Sequence, residues 1–464
     1  METTLQRVGT RTEAVMDTIR QRIERRSLVP GARIPSVRAM ADTTGFSKAT
    51  VVEAYDRLVA EGVIRSRPGA GYFVAAPLAP LSLSHMGPPL AREVDPLWML
   101  RHSLTAAPDA LRPGAGWLPD EWMGVDSIRK GLRQLARGAT AATLVGYETA
   151  AGSEPLRRLI ARRLAEQNVE ASPDQILLTD SGTHAIDMAL RFLVQPGDAV
   201  LVDDPYYFNT LALLRAHRVR IVGVPRTPTG PDMQAFELAV RDHAPRVYVT
   251  NSALHNPTGG TLSASTAHRI MKLVDAHDMV VIEDDIFGDF EHEPSARLAA
   301  FDGLERVVRV GSFSKSLSMA VRCGHIAARP DWIAGMTDLR ISTGLSGNAL
   351  SAELLLTVLS DGSYRRHMDQ VRARLSRSMA SLLTRLRSVG LEPWLEPSAG
   401  LFAWCRLPNG LDAADVTRQG VAENIIFAPG DVFSVTQTAN SYLRFNAALS
   451  DDDRIIRFLE RVCR

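Results

Sequence analysis

The sequence predicts two folds in series: a small α+β winged helix-turn-helix, then a much larger α/β domain built on a mostly parallel sheet. Three observations predict this. Residues 11–74 read as helix, helix, glycine turn, helix and a two-stranded wing. Residues 75–96 are rich in Pro and Leu and have no helical period. From about Leu97 onward, short continuous apolar runs alternate with helical segments, the pattern of a parallel sheet covered on both faces.

The head comes first. Arg11 to Ser27 places Val15, Ile19 and Ile23 four residues apart, an amphipathic helix that Pro30-Gly31 ends. Ser36 is the N-cap expected for a second short helix that turns Val37, Met40 and Ala41 inward. Thr43-Thr44-Gly45 makes a tight turn. Ser47 then caps a third helix running to about Glu61, with Val51, Tyr55, Leu58 and Val59 on its buried side. Two short runs, Val63 to Ser66 and Gly71 to Val74, flank a basic tip that contains Arg67 and Gly69. In such a domain the third helix enters the major groove by its N-terminal end, here Ser47, Lys48, Ala49 and Thr50. A small helical domain that binds protein instead is the competing reading of the same pattern.

Composition bounds the class. The chain has 464 residues, 45% hydrophobic and 23% charged, ordinary for a soluble globular protein. The N-terminus lacks a basic stretch followed by an apolar core, and no long apolar run appears, so neither secretion nor membrane spanning is expected. Cys323, Cys405 and Cys463 are far apart, which fits a reducing compartment, no disulfide frame and no metal site. The net charge is +1, but residues 1–75 hold 12 basic against 8 acidic residues, a basic head on a slightly acidic body.

In the body the expected strands are Ile176–Thr179, Ala199–Val202, Ile221–Val224, Val247–Thr250, Val280–Glu283 and Val307–Val310. Ligands bind outside the carboxyl ends of such strands, so the residues following each strand are the candidates. After Thr179 come Ser181, Gly182 and Thr183, entering a helix whose free amides make an anion site. After Val202 come Tyr206 and Tyr207, either of which can stack on a planar ring; Tyr207 is the preferred one. Asn256 follows the fourth strand, Asp284 the fifth, and Ser312, Ser314 and Lys315 the sixth, with Arg322 seven residues beyond the lysine. A Ser-Lys-Ser turn taken alone reads better as a solvated surface loop, and the rest of the chain changes that reading. Together these groups offer a phosphate cradle, a ring, an amide, a carboxylate and an amine. That set fits pyridoxal 5′-phosphate: Lys315 forms a Schiff base with the aldehyde, a carboxylate from the run Glu283, Asp284 and Asp285 keeps the pyridine nitrogen protonated (Asp284 is the one that the aminotransferase resemblance below implies), and Asn256 donates to the phenolate oxygen. Met368, Val371, Leu375, Met379, Leu382 and Leu386 recur at helical spacing and read as the core face of one long helix.

Two resemblances rest on these residues. The stretch PGARIPSVRAMADTTGFSKATVVEAYDRLVAEGVIRSRPGAGYFV resembles the GntR family of bacterial regulators. It implies double-stranded DNA as partner, contacted through Arg38, Ser47, Lys48, Thr50, Arg67 and Gly69, with Gly71 also shaping the wing. Lys48 stands where that family often has Arg, and loses the planar fork that reads guanine. The motifs YETAAGSEPLR, DDPYY, HNPTG, IEDD, SFSK and SYLRFN, in that order, resemble a fold-type I aminotransferase with a smaller C-terminal α+β subdomain. This implies that Arg444 binds a substrate or effector carboxylate, that Tyr147 reaches across a dimer interface, and that Ser181, Gly182, Thr183, Ser312, Ser314 and Arg322 hold phosphate. Ile286 and Phe287 stand where that family usually places a tyrosine, and Ser181 to His184 depart from its phosphate loop.

The two halves together resemble the MocR subfamily of bacterial regulators. The expected layout is a DNA-binding head at 1–76, a linker at 77–96 and an effector domain at 97–464. The resemblance implies a cytoplasmic homodimer, usually head-to-tail, that senses an amino acid, an amine or the cofactor itself. A working transaminase acting on an amino acid and a 2-oxo acid is the alternative. Operator, effector and sign of regulation are not written in the sequence.

Overall fold

The computed structural model describes residues 10–24, 27–28, 31–67, 70–74, 101 and 104–464. Gly69 and the expected linker at 77–96 lie outside the described residues. The chain divides into two compact units, Met1–Ser82 and Leu83–Arg464.

In the head, helix α1 spans Arg11–Glu24, α2 Val37–Thr44 and α3 Lys48–Ala60, followed by strands β1 (Ile64–Arg67) and β2 (Gly71–Val74). The first helix stops three residues short of the expected Ser27, and β1 begins one residue later than expected. Ser36 and Ser47 both cap as expected, accepting from the amides of Ala39 and Thr50. Gly45 closes α2 in the left-handed region at φ 72°, where a Cβ is penalised. Val15, Ile19, Met40, Val51, Tyr55 and Leu58 bury together, while Val37 and Val59 are half-buried at the margin. The Tyr55 hydroxyl donates to the Pro35 carbonyl at 2.8 Å, tying α3 to the entry of α2. The wing has an unexpected third element: Arg33 pairs antiparallel with Phe73, fixed by Ile34 N donating to Tyr72 O and Val74 N to Ala32 O.

In the body, an eight-stranded sheet runs β3-β10-β9-β8-β7-β4-β5-β6. Its strands are β3 (Ile176–Thr179), β4 (Ala199–Asp204), β5 (Arg220–Thr227), β6 (Gly230–Pro231), β7 (Val247–Thr250), β8 (Val280–Asp284), β9 (Val307–Ser312) and β10 (Gly324–Ala327). β5, β4, β7, β8 and β9 pair in parallel, so their carboxyl ends share one edge. β10 runs antiparallel between β3 and β9, which the sequence reading did not anticipate. Alternate residues divide between two cores: Val308 and Val310 join one, Val307 and Phe313 the other. Both faces are therefore covered.

The helix Ser363–Ser388 carries the expected buried stripe and leads to a four-stranded sheet of order β11-β12-β14-β13. These strands are β11 (Glu392–Pro393), β12 (Phe402–Arg406), β13 (Ala428–Pro429) and β14 (Tyr442–Asn446). The helices Ala413–Ala422 and Asp453–Cys463 complete this C-terminal subdomain. Residues 111–114 lie along it: Leu111 N donates to Asn424 O, Ile426 N to Leu111 O, Gly114 N to Ile426 O and Asn446 N to Pro113 O. A Cβ on Gly114 would fall 2.4 Å from Ala428 N, so this close passage needs glycine.

Candidate functional site

The parallel strand ends bring the predicted residues to one edge. β8 ends at Asp284, which is 3% exposed. Its carboxylate accepts from the Ile286 amide at 3.3 Å, and Asn251 Nδ2 donates to its backbone carbonyl at 2.8 Å. Burial, only partly offset by these donors, pushes its carboxyl up to about 7. Lys315 is half-buried just after β9. Burial and then the charge of Arg444 bring its amine down to about 8, against the opposing pull of Asp284.

Arg444 reaches the same place from β14. It is 1% exposed, and the carbonyl of Asn256 takes its Nη1 at 2.7 Å while the Gly114 carbonyl takes its Nη2 at 2.6 Å. Two predicted residues 188 positions apart are thus in direct contact, leaving the Asn256 amide nitrogen free to donate elsewhere. The guanidinium lies over the rings of Phe402 at 4.4 Å and Phe433 at 4.8 Å. No carboxylate pairs with it among the described residues, its Nε has no partner, and burial lowers its pKa to about 10. A buried arginine held only by neutral acceptors is costly without an anion, and its planar fork matches a carboxylate.

Of the two tyrosines, Tyr206 belongs to the core, fully buried with its ring 5.7 Å from His255. Tyr207 is half-buried, and its hydroxyl feels the charges of both Arg444 and Asp284.

The hydroxyl cluster is compact. Ser181 caps the helix Gly182–Leu193, accepting from the His184 amide at 3.0 Å. Ser312 Oγ lies 3.2 Å from the Cys323 carbonyl and accepts from the Ser314 amide at 3.2 Å. A Cβ on Gly182 would meet Ile286 Cγ2 at 3.0 Å and Ser312 Cβ at 3.4 Å, so glycine lets the helix start approach both loops. Thr183 and Arg322 are exposed, the latter at φ 51°. Neither Ile286 nor Phe287 supplies a hydroxyl; Phe287 packs edge-on against Phe402 at 5.2 Å between centroids. Tyr147, 84% exposed, is not brought to this cluster.

Sequence reasoning missed the support behind the edge. Asp203 and Arg226 form a fully buried ion pair at 2.8 Å, and Tyr248 and Thr250 donate to the same carboxylate at 2.7 and 2.6 Å. Charged residues inside apolar runs were the only available signal. Asn446 was missed too; its amide donates to the carbonyls of Ala115 and Trp117.

In the head, Arg38, Ser47, Lys48 and Arg67 are exposed and Thr50 is half-buried. The Ser47 hydroxyl is spent on its cap and lies 2.9 Å from Thr50 Oγ1, while Arg67 lies over the Phe73 ring at 4.7 Å.

Comparison with known proteins follows this division. Residues 122–462 match the family "Aminotransferase class I and II", and residues 11–74 match "Bacterial regulatory proteins, gntR family". The uncharacterized HTH-type transcriptional regulator YdcR of Escherichia coli is 29% identical over 446 residues, 94% of each chain. The 2-aminoadipate transaminase of Thermus thermophilus is 28% identical over 325 residues, 68% of this chain and 80% of its own. The crystal structure of LysN, alpha-aminoadipate aminotransferase from Thermus thermophilus, superposes with a TM-score of 0.72 at 24% identity. It covers 79% of this chain and 94% of that one, a likeness of fold.

Proposed function

Because this chain belongs to the aminotransferase class I and II family over residues 122–462 and carries a gntR-family head, the pairing of the MocR subfamily, we propose that it is a transcriptional regulator whose body reads a small amine or amino acid through pyridoxal 5′-phosphate. The observation that carries this reading is the meeting of Arg444 and Asn256 beside Lys315 and Asp284: an anion receptor and a cofactor set in one edge.

The residues fit the cofactor. The site sets an amine and a buried guanidinium bonded only to neutral acceptors against a single carboxylate, Asp284, so it favours anionic groups. When bound, pyridoxal 5′-phosphate supplies an aldehyde for an amine and a pyridine ring that draws electron density from a substrate's α-carbon. Lys315 would offer the amine, its free-base form far more populated than in an ordinary lysine, and Asp284 is the carboxylate that would pair with the ring nitrogen. The Asn256 amide nitrogen, left free by Arg444, would donate to the ring oxygen, and Tyr207 would stack on the ring. Ser181, Gly182, Thr183, Ser312, Ser314 and Arg322 would hold the phosphate. Arg444 takes the effector's carboxylate by its fork.

Arg444 sits on β14 of the C-terminal subdomain, while its partner Asn256 sits on a strand-end loop of the large sheet. An effector carboxylate competing for that guanidinium biases the junction between the two, which is the source of differential binding energy a regulator needs. The chain works as a cytoplasmic homodimer on double-stranded DNA. Supporting the dimer, Leu144, Val145 and Tyr147 leave 52%, 88% and 84% of their surface exposed in one short stretch. No helix among the described residues is long and apolar enough to cross a membrane. A second reading, a working transaminase with a DNA-binding head, is favoured by the complete Lys315, Asp284, Asn256 and Arg444 set and opposed by Phe287 and Ile286.

The test is visible absorbance and DNA binding of the full chain and of Lys315→Ala, with a panel of amino acids. Lys315→Ala should lose the cofactor band and the effector response and keep basal DNA binding. Loss of basal binding sinks the two-module reading; sustained amino transfer to a 2-oxo acid in the native protein favours the enzyme.

A further inference from the structure

The body holds a second cavity, of about 660 Å³, on the face of the sheet opposite Asp284. Strand alternation separates the two: Asp284 and Val310 point to one face, Asp285, Arg309 and His325 to the other. None of Lys315, Asp284, Asn256, Tyr207 or Arg444 lines it, although Ser312 and Ile286 of the hydroxyl cluster do.

Its inner wall carries buried polar atoms without partners among the described residues. His325 is 6% exposed, and neither ring nitrogen has a hydrogen-bond partner. A Cβ at Gly311 would lie 2.3 Å from His325 Cε1, so the glycine gives the imidazole its place on the strand. Burial and the charge of Arg309 bring that imidazole down to about 3, so it stays neutral and offers one N–H and one lone pair. Beside it, Asp285 is 5% exposed; Arg297 and Arg309 engage its Oδ2, and its Oδ1 is unpartnered. A native fold leaves few such atoms, and a cluster lining one cavity calls for a polar occupant. The lining mixes apolar side chains, among them Ile160, Leu164 and Met368, with charged ones that include Glu166 and Glu291. Arg365 also lines it, exposed and without an ion-pair partner among the described residues, whereas Arg163 is paired with Asp289 and Arg372 with Asp369.

We propose that this cavity is a second small-molecule site, and that it takes an amide-bearing carboxylate: the amide donates to and accepts from the wall of His325 and Asp285, and the carboxylate meets Arg365. The site is wired to Lys315. Tyr364 lines the cavity; its hydroxyl bonds the Asp289 carboxylate and lies 2.6 Å from Ser316 Oγ, while His367 Nε2 donates to the Ser316 carbonyl at 2.8 Å. Ser316 follows Lys315 directly, so a ligand that presses on Tyr364 moves the backbone carrying that amine.

The test is calorimetric titration of the full chain with N-acetylglycine, an amide-bearing carboxylate with no amine to react at Lys315. Saturable binding is expected in the native protein and equally in Arg444→Lys, weakened about tenfold or more by His325→Phe and by Arg365→Ala, a loss of roughly 1.4 kcal/mol. Arg365 is exposed, so its variant carries the test if His325→Phe fails to fold. No binding, or binding lost in Arg444→Lys and untouched by the cavity variants, overturns the proposal. The coupling is read separately, and rests on the cofactor reading above: N-acetylglycine should shift the cofactor's visible band in the native protein and not in Tyr364→Phe. A saturating probe that leaves the band unmoved overturns the coupling alone, and a protein that binds the probe yet never takes pyridoxal phosphate refutes the cofactor reading while leaving the cavity site standing.

Discussion

The amine of Lys315 is the most exposed point of the reading to experiment. A free lysine titrates at 10.5, and here the value is brought to about 8, first by burial and then by Arg444. A displacement of that size disfavours the charged amine by roughly 3 kcal/mol and raises the free-base fraction at pH 7 from roughly 0.03% to roughly 10%. The consequence is kinetic. Cofactor-stripped protein mixed with pyridoxal 5′-phosphate at a series of pH values should show a rate, followed by visible absorbance, that climbs tenfold per pH unit and levels near pH 8. Arg444→Gln removes the second cause and leaves the first. The midpoint should move upward and, because burial is the larger cause, stop below about pH 9. A native midpoint near 10.5 would place Lys315 in solvent and refute the electrostatic argument. A midpoint that falls in Arg444→Gln would show that the two cations do not share a site.

Three other outcomes follow from the structure. Asp284 is raised from 3.8 to about 7, so the cofactor-free folded chain holds a proton that the unfolded chain releases between about pH 4 and 7. Stability should fall as pH rises through that window, and Asp284→Asn should flatten the fall and raise Tm at pH 8, by calorimetry, while weakening cofactor retention. Lys48→Ala with Arg38→Ala should weaken DNA binding and lower the slope of log affinity against log salt by about 2, which a fluorescence titration at several salt concentrations measures. Leu58→Ala opens a cavity in the head's core and should cost about 2–5 kcal/mol; with two compact units, the head's melting transition should drop while the body's stays.

Much of this was legible in the sequence, and the reasons are physical. A parallel strand buried on both faces reads as an unbroken apolar run, so Val247–Thr250 and Val280–Asp284 announced themselves, and the residues after them could be read as a strand-end site. Gly324–Ala327 did not, because a four-residue strand holding a glycine and a histidine has neither length nor hydrophobicity. The choice between Tyr206 and Tyr207 depended on which ring the backbone turned into the core, and adjacent residues carry no such label. Asp203 with Arg226 looked like stray charges until their pairing made them mutual partners. The contact of Arg444 with Asn256, and the contacts of residues 111–114 with the C-terminal subdomain, are decided by topology over hundreds of residues, which no local pattern encodes.

The stretch from Leu111 to Gly114 has a mechanical consequence. The first well-packed residues after the linker are laced to the subdomain that carries Arg444, through Asn424, Ile426 and Asn446. Glycine at 114 lets that seam close to a distance at which a Cβ would lie 2.4 Å from Ala428 N. Any rotation of the subdomain that keeps these bonds therefore carries residues 111–114 with it, so the strap and the sheet edge beside it move as one piece.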